Sequence, residues 1–320
     1  MITNILVSGG TGFIGGALLR CLAERADYRV QALVRSVGAT LPAQVVPVPM
    51  SSDQLFVPTA SMGTVDVVVH CAARVHVMRD DAQDPLAEFR RINVAGTLNL
   101  ARYAAQAGAR RFIFLSSIKV NGETTAVGRP FSADDAPAPT DAYAISKYEA
   151  ERELRTFSAE SGLEVVIIRV PLVYGPGVKA NFRSLMRCIH AGLPLPLGAI
   201  GNKRSLVALD NLVDLIVTCI EHPAAGDQLF LVADGEDISV SELARRLGLA
   251  MGRPARLVSI PAVALEWGAR ITGRRAMFQR LCGSLQVDIQ RTCELLSWRP
   301  PLGVDEGLRR AATDFLERRT

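Results

Sequence analysis

A glycine-rich turn near the start of the chain constrains the fold more than any other feature. Residues 9–15 read Gly-Gly-Thr-Gly-Phe-Ile-Gly, after an apolar run at 3–8 and at the start of an amphipathic stretch at 13–25. Glycines at this spacing let the backbone approach a pyrophosphate, and the helix that follows directs its N–H groups toward it. The arrangement predicts a dinucleotide-binding βαβ unit. The expected contacts are Gly9, Thr11, Gly12, Phe13, Ile14 and Gly15.

Short apolar runs and longer amphipathic segments alternate as far as residue 170. The predicted strands are 3–8, 29–34, 45–49, 65–71, 111–116 and 164–170, and the predicted helices are 13–25, 84–107 and 141–161. This order predicts an α/β fold, a Rossmann-type doubly wound parallel sheet with its ligand at the carboxyl ends of the strands. Frequent prolines later in the chain predict a smaller mixed α/β C-terminal lobe. We expect a dinucleotide-binding domain at 1–175, with a return segment to the main sheet at about 205–222, and a substrate lobe at 176–320.

Composition excludes several classes of protein. The net charge of +4 comes from scattered basic residues, which does not indicate nucleic-acid binding but suits a small anionic ligand. Six cysteines without a CxxC pair and four histidines without ligand spacing predict neither a metal site nor disulfides. No signal peptide is recognisable, and Pro261, Glu266 and Arg270 interrupt the apolar stretch at 260–271. We therefore expect a cytoplasmic protein without membrane insertion.

The second predicted strand ends without an acidic residue. Residues 33–36 read Leu-Val-Arg-Ser, where an NAD-preferring site usually carries an acid for the ribose hydroxyls. Arg35 and Ser36 are suited instead to a 2′-phosphate. This favours NADP(H), with NAD(H) as the other cofactor considered if Arg35 is only a solvated side chain.

A serine, a tyrosine and a lysine in the middle of the chain have the pattern of an acid/base site. Tyr143 and Lys147 are four residues apart in a predicted helix and so share one face. A nearby ammonium is expected to lower the pKa of the Tyr143 phenol, which suits it to proton transfer. Ser117 ends the apolar run that precedes this helix.

Together these motifs resemble the extended short-chain dehydrogenases/reductases, in the group of nucleotide-sugar epimerases, reductases and dehydratases. The resemblance extends over essentially the whole chain, through residues 9–15, 69–73, 92–97, 115–117, 143–147 and 169–177. It implies that Ser117 holds the sugar oxygen, Tyr143 moves its proton, and Lys147 anchors the nicotinamide ribose. The further cofactor contacts that it implies are Cys71, Ala72, Ala73, Asn93 and Val170.

The resemblance also implies how the substrate is held. Asn181, Arg204 and Arg280 are the residues expected to bind the diphosphate of a UDP-linked sugar, because guanidinium groups suit phosphate oxygens. Lys119 stands where many epimerases carry a small hydroxyl residue, which indicates an altered sugar pocket. Related enzymes often form homodimers through helices like 84–107 and 141–161, so a homodimer is expected.

Two reactions at C4 of the sugar agree with these motifs. A dehydratase is not indicated, because residues 118–119 read Ile-Lys where dehydratases usually carry Asp-Glu. Residues 73–78, 117–122 and 204–211 resemble a bacterial surface-polysaccharide branch that includes C4 reductases of UDP-4-keto-6-deoxy-N-acetylhexosamines. We therefore expect an NAD(P)H-dependent reductase of this kind, with a UDP-sugar C4 epimerase as the alternative. A non-catalytic NADP(H)-sensing or assembly protein is a third reading, but the intact serine, tyrosine and lysine argue against it.

Overall fold

A seven-stranded parallel sheet forms the centre of the molecule. The computed structural model describes residues 2–35, 38–51, 55–59, 63–75, 84–126, 128–261, 264, 266–267, 270 and 281–318. The strand order is β3-β2-β1-β4-β5-β6-β9, with every neighbouring pair parallel. The strands are β1 (Thr3–Ser8), β2 (Tyr28–Val34), β3 (Val46–Pro49), β4 (Val67–His70), β5 (Arg111–Ser117), β6 (Glu164–Val170) and β9 (Leu229–Leu231). The doubly wound sheet predicted from the sequence is confirmed.

The central strands are apolar along their length because both faces of the sheet are covered. Side chains alternate between two cores: Ile5 and Val7 of β1 pack on one face, and Leu6 packs on the other. Phe112 and Ile113 of β5 divide in the same way. The cores are closed by α1 (Phe13–Ala23) and α6 (Leu209–Glu221) on the first face, and by α3 (Gly96–Gln106) and α4 (Ala142–Ser161) on the second.

The segment predicted as one helix at 84–107 is interrupted. It consists of α2 (Pro85–Arg90), a π-helical turn at Arg91–Ala95, and α3. Such turns are frequent at functional sites, because the extra residue redirects a side chain. Here the turn contains the buried Asn93. In the part of the chain that the structure describes, no helix is long and apolar enough to cross a membrane.

The second lobe is built around a small sheet of its own. Its strands are β7 (Leu172–Tyr174), β8 (Arg204–Ala208) and β10 (Asp237–Ile238), in the order β10-β8-β7. Its helices are α5 (Ala180–His190), α7 (Val240–Ala250) and α9 (Val304–Glu317), and α8 (Gln290–Leu296) packs near β9.

The predicted return segment at about 205–222 contacts the main sheet through its helix and not through its strand. β8 pairs with β7 and β10, so the strand inside the predicted return segment does not join the main sheet. Its side chains nevertheless alternate between two cores, with Val207 packed on the first face of the main sheet and Leu206 in the lobe. The helix of the predicted return segment, α6, does pack on the main sheet, and the later strand β9 pairs with β6.

Candidate active site

The glycine turn joins β1 to α1 and touches the loop after β4. Gly9 has φ +75°, and a Cβ there would lie 2.7 Å from the backbone nitrogen of Ala72. A Cβ on Gly15 would lie 2.2 Å from the carbonyl oxygen of Gly9, so this position has no room for a side chain. Thr11 and Gly12 are exposed, and no side chain of the described residues caps the start of α1. Its N–H groups are therefore available, and the turn fits a dinucleotide diphosphate.

Arg35 lies beside this turn. In the sheet, Leu33 of β2 pairs with Ser8 of β1, which places Arg35 next to the carboxyl end of β1. Its side chain is exposed, and Ser36 lies outside the described residues. The NADP(H) preference stays a prediction that depends on Arg35.

His70, the last residue of β4, holds the start of the following loop through two buried polar partners. His70 Nδ1 lies 2.5 Å from Ser8 Oγ, and His70 Nε2 lies 3.0 Å from Thr97 Oγ1. Burial, with a smaller effect from the charge of Lys147, lowers the pKa of His70 to about 3, so the imidazole is neutral. His70 lies in the segment 69–73, and its sequence pattern predicted no role for it. The loop that continues through Cys71, Ala72 and Ala73 is thereby tied to the sheet.

Asn93 joins this loop to α4. Its Oδ1 accepts a hydrogen bond from the backbone N–H of Arg74 at 2.8 Å, and its Nδ2 donates to the Arg74 carbonyl at 3.0 Å. The same Nδ2 donates to Ser146 Oγ at 3.0 Å, one residue before Lys147. These contacts link the π-helical turn to the loop after β4 and to α4, and the role of Asn93 at the cofactor stays a prediction.

The structure brings Ser117, Tyr143 and Lys147 together. Ser117 ends β5, and its hydroxyl is hydrogen-bonded to that of Tyr143 in the first turn of α4. Lys147 is buried one turn later, with Nζ 3.9 Å from the ring centroid of Phe114. Val170, also expected at the cofactor, pairs with Ser117 across β5 and β6.

The prediction that Lys147 lowers the pKa of Tyr143 is wrong in this structure. Burial raises the pKa of Tyr143 to about 12; the hydrogen bond with Ser117 opposes this rise, and the charge of Asp141 adds to it. Burial also lowers the pKa of Lys147 to about 7. Desolvation disfavours the charged form of both groups, and for Tyr143 it outweighs a cation one turn away.

A buried ion pair that sequence reasoning missed lies behind the site. Arg169 Nη2 of β6 donates to Glu151 Oε2 of α4 at 2.6 Å, and Arg169 Nη1 donates to Asn121 Oδ1 at 2.9 Å. The Ser116 hydroxyl also donates to Glu151 Oε1. The signal was present, because Arg169 is a charged residue near the end of a strand whose other residues after Glu164 are all apolar. The pair connects β6 to α4, the helix that carries Tyr143 and Lys147, and the Ser116 hydroxyl joins β5 to the same carboxylate.

Lys119 lies on the short turn after Ser117. Its Nζ is 2.5 Å from Asp141 Oδ2 and 3.2 Å from Glu123 Oε1. Asp141 is the N-cap of α4, where its Oδ1 accepts a hydrogen bond from the Ala144 N–H at 2.7 Å. Lys119 is therefore part of a charged group at the start of α4, and its contact with a sugar stays a prediction.

Two of the three residues expected to bind the diphosphate, Arg204 and Asn181, lie in the second lobe. Arg204 opens β8, its Nη1 donates to the Gly283 carbonyl at 3.0 Å, and burial lowers its pKa. Asn181 is exposed in the first turn of α5. Arg280 lies outside the described residues. The diphosphate roles of all three stay predictions.

Comparisons with known proteins agree with this geometry. Residues 5–238 match the model of the NAD dependent epimerase/dehydratase family. The chain is 47% identical over 321 residues to a UDP-glucose 4-epimerase of Vibrio cholerae, covering 99% of this chain and 97% of that protein. It is 26% identical to a GDP-6-deoxy-D-mannose reductase of Pseudomonas aeruginosa, with 99% of each covered. The crystal structure of a UDP-glucose 4-epimerase from Thermotoga maritima with UDP-glucose superposes with a TM-score of 0.79, at 23% identity, covering 99% of this chain and 100% of that one.

Proposed function

The chain belongs to the NAD-dependent epimerase/dehydratase family, and on that premise we propose that it interconverts the C4 epimers of a UDP-linked sugar. The observation that carries the proposal is its identity of 47%, over nearly the full length of both proteins, to a UDP-glucose 4-epimerase. The hydrogen-bonded Ser117 and Tyr143, with Lys147 one turn away, provide the groups that such a reaction needs.

In this proposal Tyr143 moves one proton. It accepts the proton of the C4 hydroxyl as that carbon becomes a ketone, and it returns the proton after the ketone has been reduced on its other face. Ser117 binds the same sugar oxygen and fixes it near the phenol. Lys147 binds the nicotinamide ribose. A bound nicotinamide supplies the hydride acceptor for the first half of the reaction and the hydride donor for the second.

The glycine turn is the part of the chain that would hold the dinucleotide. Its lack of side chains and the uncapped N-terminus of α1 suit a diphosphate, and the Asn93 contacts keep the adjacent loop in place. An epimerase uses the same nicotinamide for both half-reactions, so no net oxidation or reduction of the cofactor occurs.

The C4 reductase expected from the sequence is the second candidate. Arg35 favours it, because an arginine at the end of β2 suits the 2′-phosphate of NADPH. The relative from P. aeruginosa supports it as well, since that protein is a nucleotide-sugar reductase. The catalytic residues are common to both reactions, so the distinction depends on the cofactor and the substrate.

Two incubations of the purified protein distinguish the candidates. The first contains a UDP-hexose, such as UDP-glucose, with NAD, and the second contains a UDP-4-keto-6-deoxy sugar with NADPH. An epimerase forms the C4 epimer in the first incubation without a net change in nicotinamide absorbance. Stoichiometric loss of NADPH absorbance in the second, with no epimer in the first, would overturn the proposal. Tyr143→Phe is the matched control for both.

A further inference from the structure

The N-terminus of the catalytic helix carries a charge pair that the proposed reaction has not used. Lys119 Nζ and Asp141 Oδ2 are 2.5 Å apart, and their side chains are only 30% and 27% exposed. Asp141 precedes Tyr143 by two residues, and Lys119 follows Ser117 by two. The pair therefore spans the two segments that supply the hydrogen-bonded hydroxyls.

We propose that the Lys119–Asp141 pair sets how readily Tyr143 gives up its proton, with Lys119 neutralising a carboxylate that the helix requires at its N-cap. Lys119 is then a positioning residue for the phenol rather than a sugar ligand. The effect of the Lys119–Asp141 pair on turnover rests on the proposed function.

The need for a counter-charge follows from the local structure. Asp141 accepts the Ala144 N–H and so caps α4, which stabilises the helix. The same negative charge stands close to Tyr143, where it favours the neutral phenol, in the same direction as burial. Pairing with the ammonium of Lys119 keeps the cap while reducing that effect.

Among the residues that the structure describes, no other group around Tyr143 replaces Lys119. On α4 the remaining charged neighbour is Lys147, one turn along and directed at Phe114. From the loop after β5, Glu123 reaches Lys119 at 3.2 Å and adds further negative charge. From α2, the ring of Phe89 faces Tyr143, with 6.1 Å between the ring centroids. The guanidinium carbon of Arg74 lies 5.5 Å from the centroid of the same Phe89 ring.

Three variants separate the two charges. Asp141→Asn keeps a good N-cap residue but removes the negative charge. Lys119→Met keeps an unbranched side chain of similar length but removes the positive charge. Lys119→Met combined with Asp141→Asn removes both. Glu123→Gln is the matched control. It removes a carboxylate that also contacts Lys119, but the Glu123 side chain is 41% exposed to solvent.

The titration of the phenol is measured directly. A fluorotyrosine in place of Tyr143 in each protein lets fluorine NMR follow this one phenol against pH, independently of turnover. A like or opposite charge within ~4–6 Å shifts a pKa by ~1–3 units, and partial exposure places these residues toward the lower end. We expect a rise of about one pH unit for Lys119→Met, a similar fall for Asp141→Asn, and a value near wild type for the double variant and for Glu123→Gln.

The pH dependence of turnover gives a second readout. A rise of about one unit lowers the phenolate fraction, and so the rate at a fixed pH below the pKa, by up to about tenfold. Unchanged titration in both single variants, or a shift in the same direction for both, would overturn the proposal. So would a Lys119→Met variant that changes only the KM for the sugar. If no UDP-sugar is epimerised while the titrations still shift as expected, the proposed function fails and the charge pair stands.

Discussion

The buried pair between Arg169 and Glu151 allows a quantitative test of how burial changes the energy of an ion pair. Two glutamates of α4, Glu151 and Glu149, pair with arginines of other elements at the same N–O distance of 2.6 Å. The Arg169 and Glu151 side chains are 3% and 2% exposed, whereas those of Arg90 and Glu149 are 51% and 26% exposed. Arg169→Met and Arg90→Met therefore remove the same kind of contact in two different environments.

The expected losses differ because of the charge that remains. Arg169→Met leaves the Glu151 carboxylate buried, with the Ser116 hydroxyl still donating to it. It also removes the Arg169 donor from Asn121 Oδ1. Breaking a buried pair from one side lowers the free energy of unfolding by about 3–5 kcal/mol. Arg90→Met leaves Glu149 in contact with water and is expected to cost about 0.2–1 kcal/mol.

Urea titration at neutral pH, followed by circular dichroism, measures both losses as changes in the free energy of unfolding. A variant with Arg169→Met and Glu151→Leu together removes both charges and is expected to be more stable than Arg169→Met alone. A difference of less than about 1 kcal/mol between Arg169→Met and Arg90→Met would refute the reasoning, because burial would then not control the energy of the pair.

Four further outcomes are expected. Tyr143→Phe should slow turnover by roughly 10²–10⁴-fold while cofactor affinity, measured by fluorescence titration, stays close to wild type. Arg204→Ala should weaken binding of free UDP by about 10- to 150-fold, the loss of one charged donor to phosphate, and calorimetric titration without a sugar checks this. Arg35→Ala should weaken NADPH binding more than NADH binding, and equal effects on the two would return Arg35 to a solvated surface role. Burial lowers the pKa of His70 to about 3, whereas the same side chain in the unfolded chain has a pKa near 6.5. The contribution of the neutral imidazole to stability should therefore be lost as the pH falls from 6.5 toward 3. In His70→Asn, the free energy of unfolding measured over that range should fall less steeply.

The amino-acid sequence determined six of the seven strands of the main sheet, all except the edge strand β9. Strand β6 (Glu164–Val170) has the predicted bounds, and β1 and α1 flank the glycine turn as expected. These elements are readable because each is defined by a local pattern: a continuous apolar run for a strand covered on both faces, a repeat of three and four for a helix, and glycines where a side chain does not fit. For the same reason Ser117, Tyr143 and Lys147 were identified together, since a strand end and one helical turn fix their positions.

Only the tertiary structure decided the features that depend on residues distant in sequence. The alternating pattern of β8 is equally compatible with the main sheet and the small sheet, and its pairing with β7 and β10 decided between them. The pKa of Tyr143 was predicted in the wrong direction, because spacing shows which charges are near but not how strongly the phenol is desolvated. The partners of Lys119 and Arg169 lie 22 and 18 residues away along the chain. Such contacts form only when separate elements pack together, and in this protein they determine the electrostatics of the site.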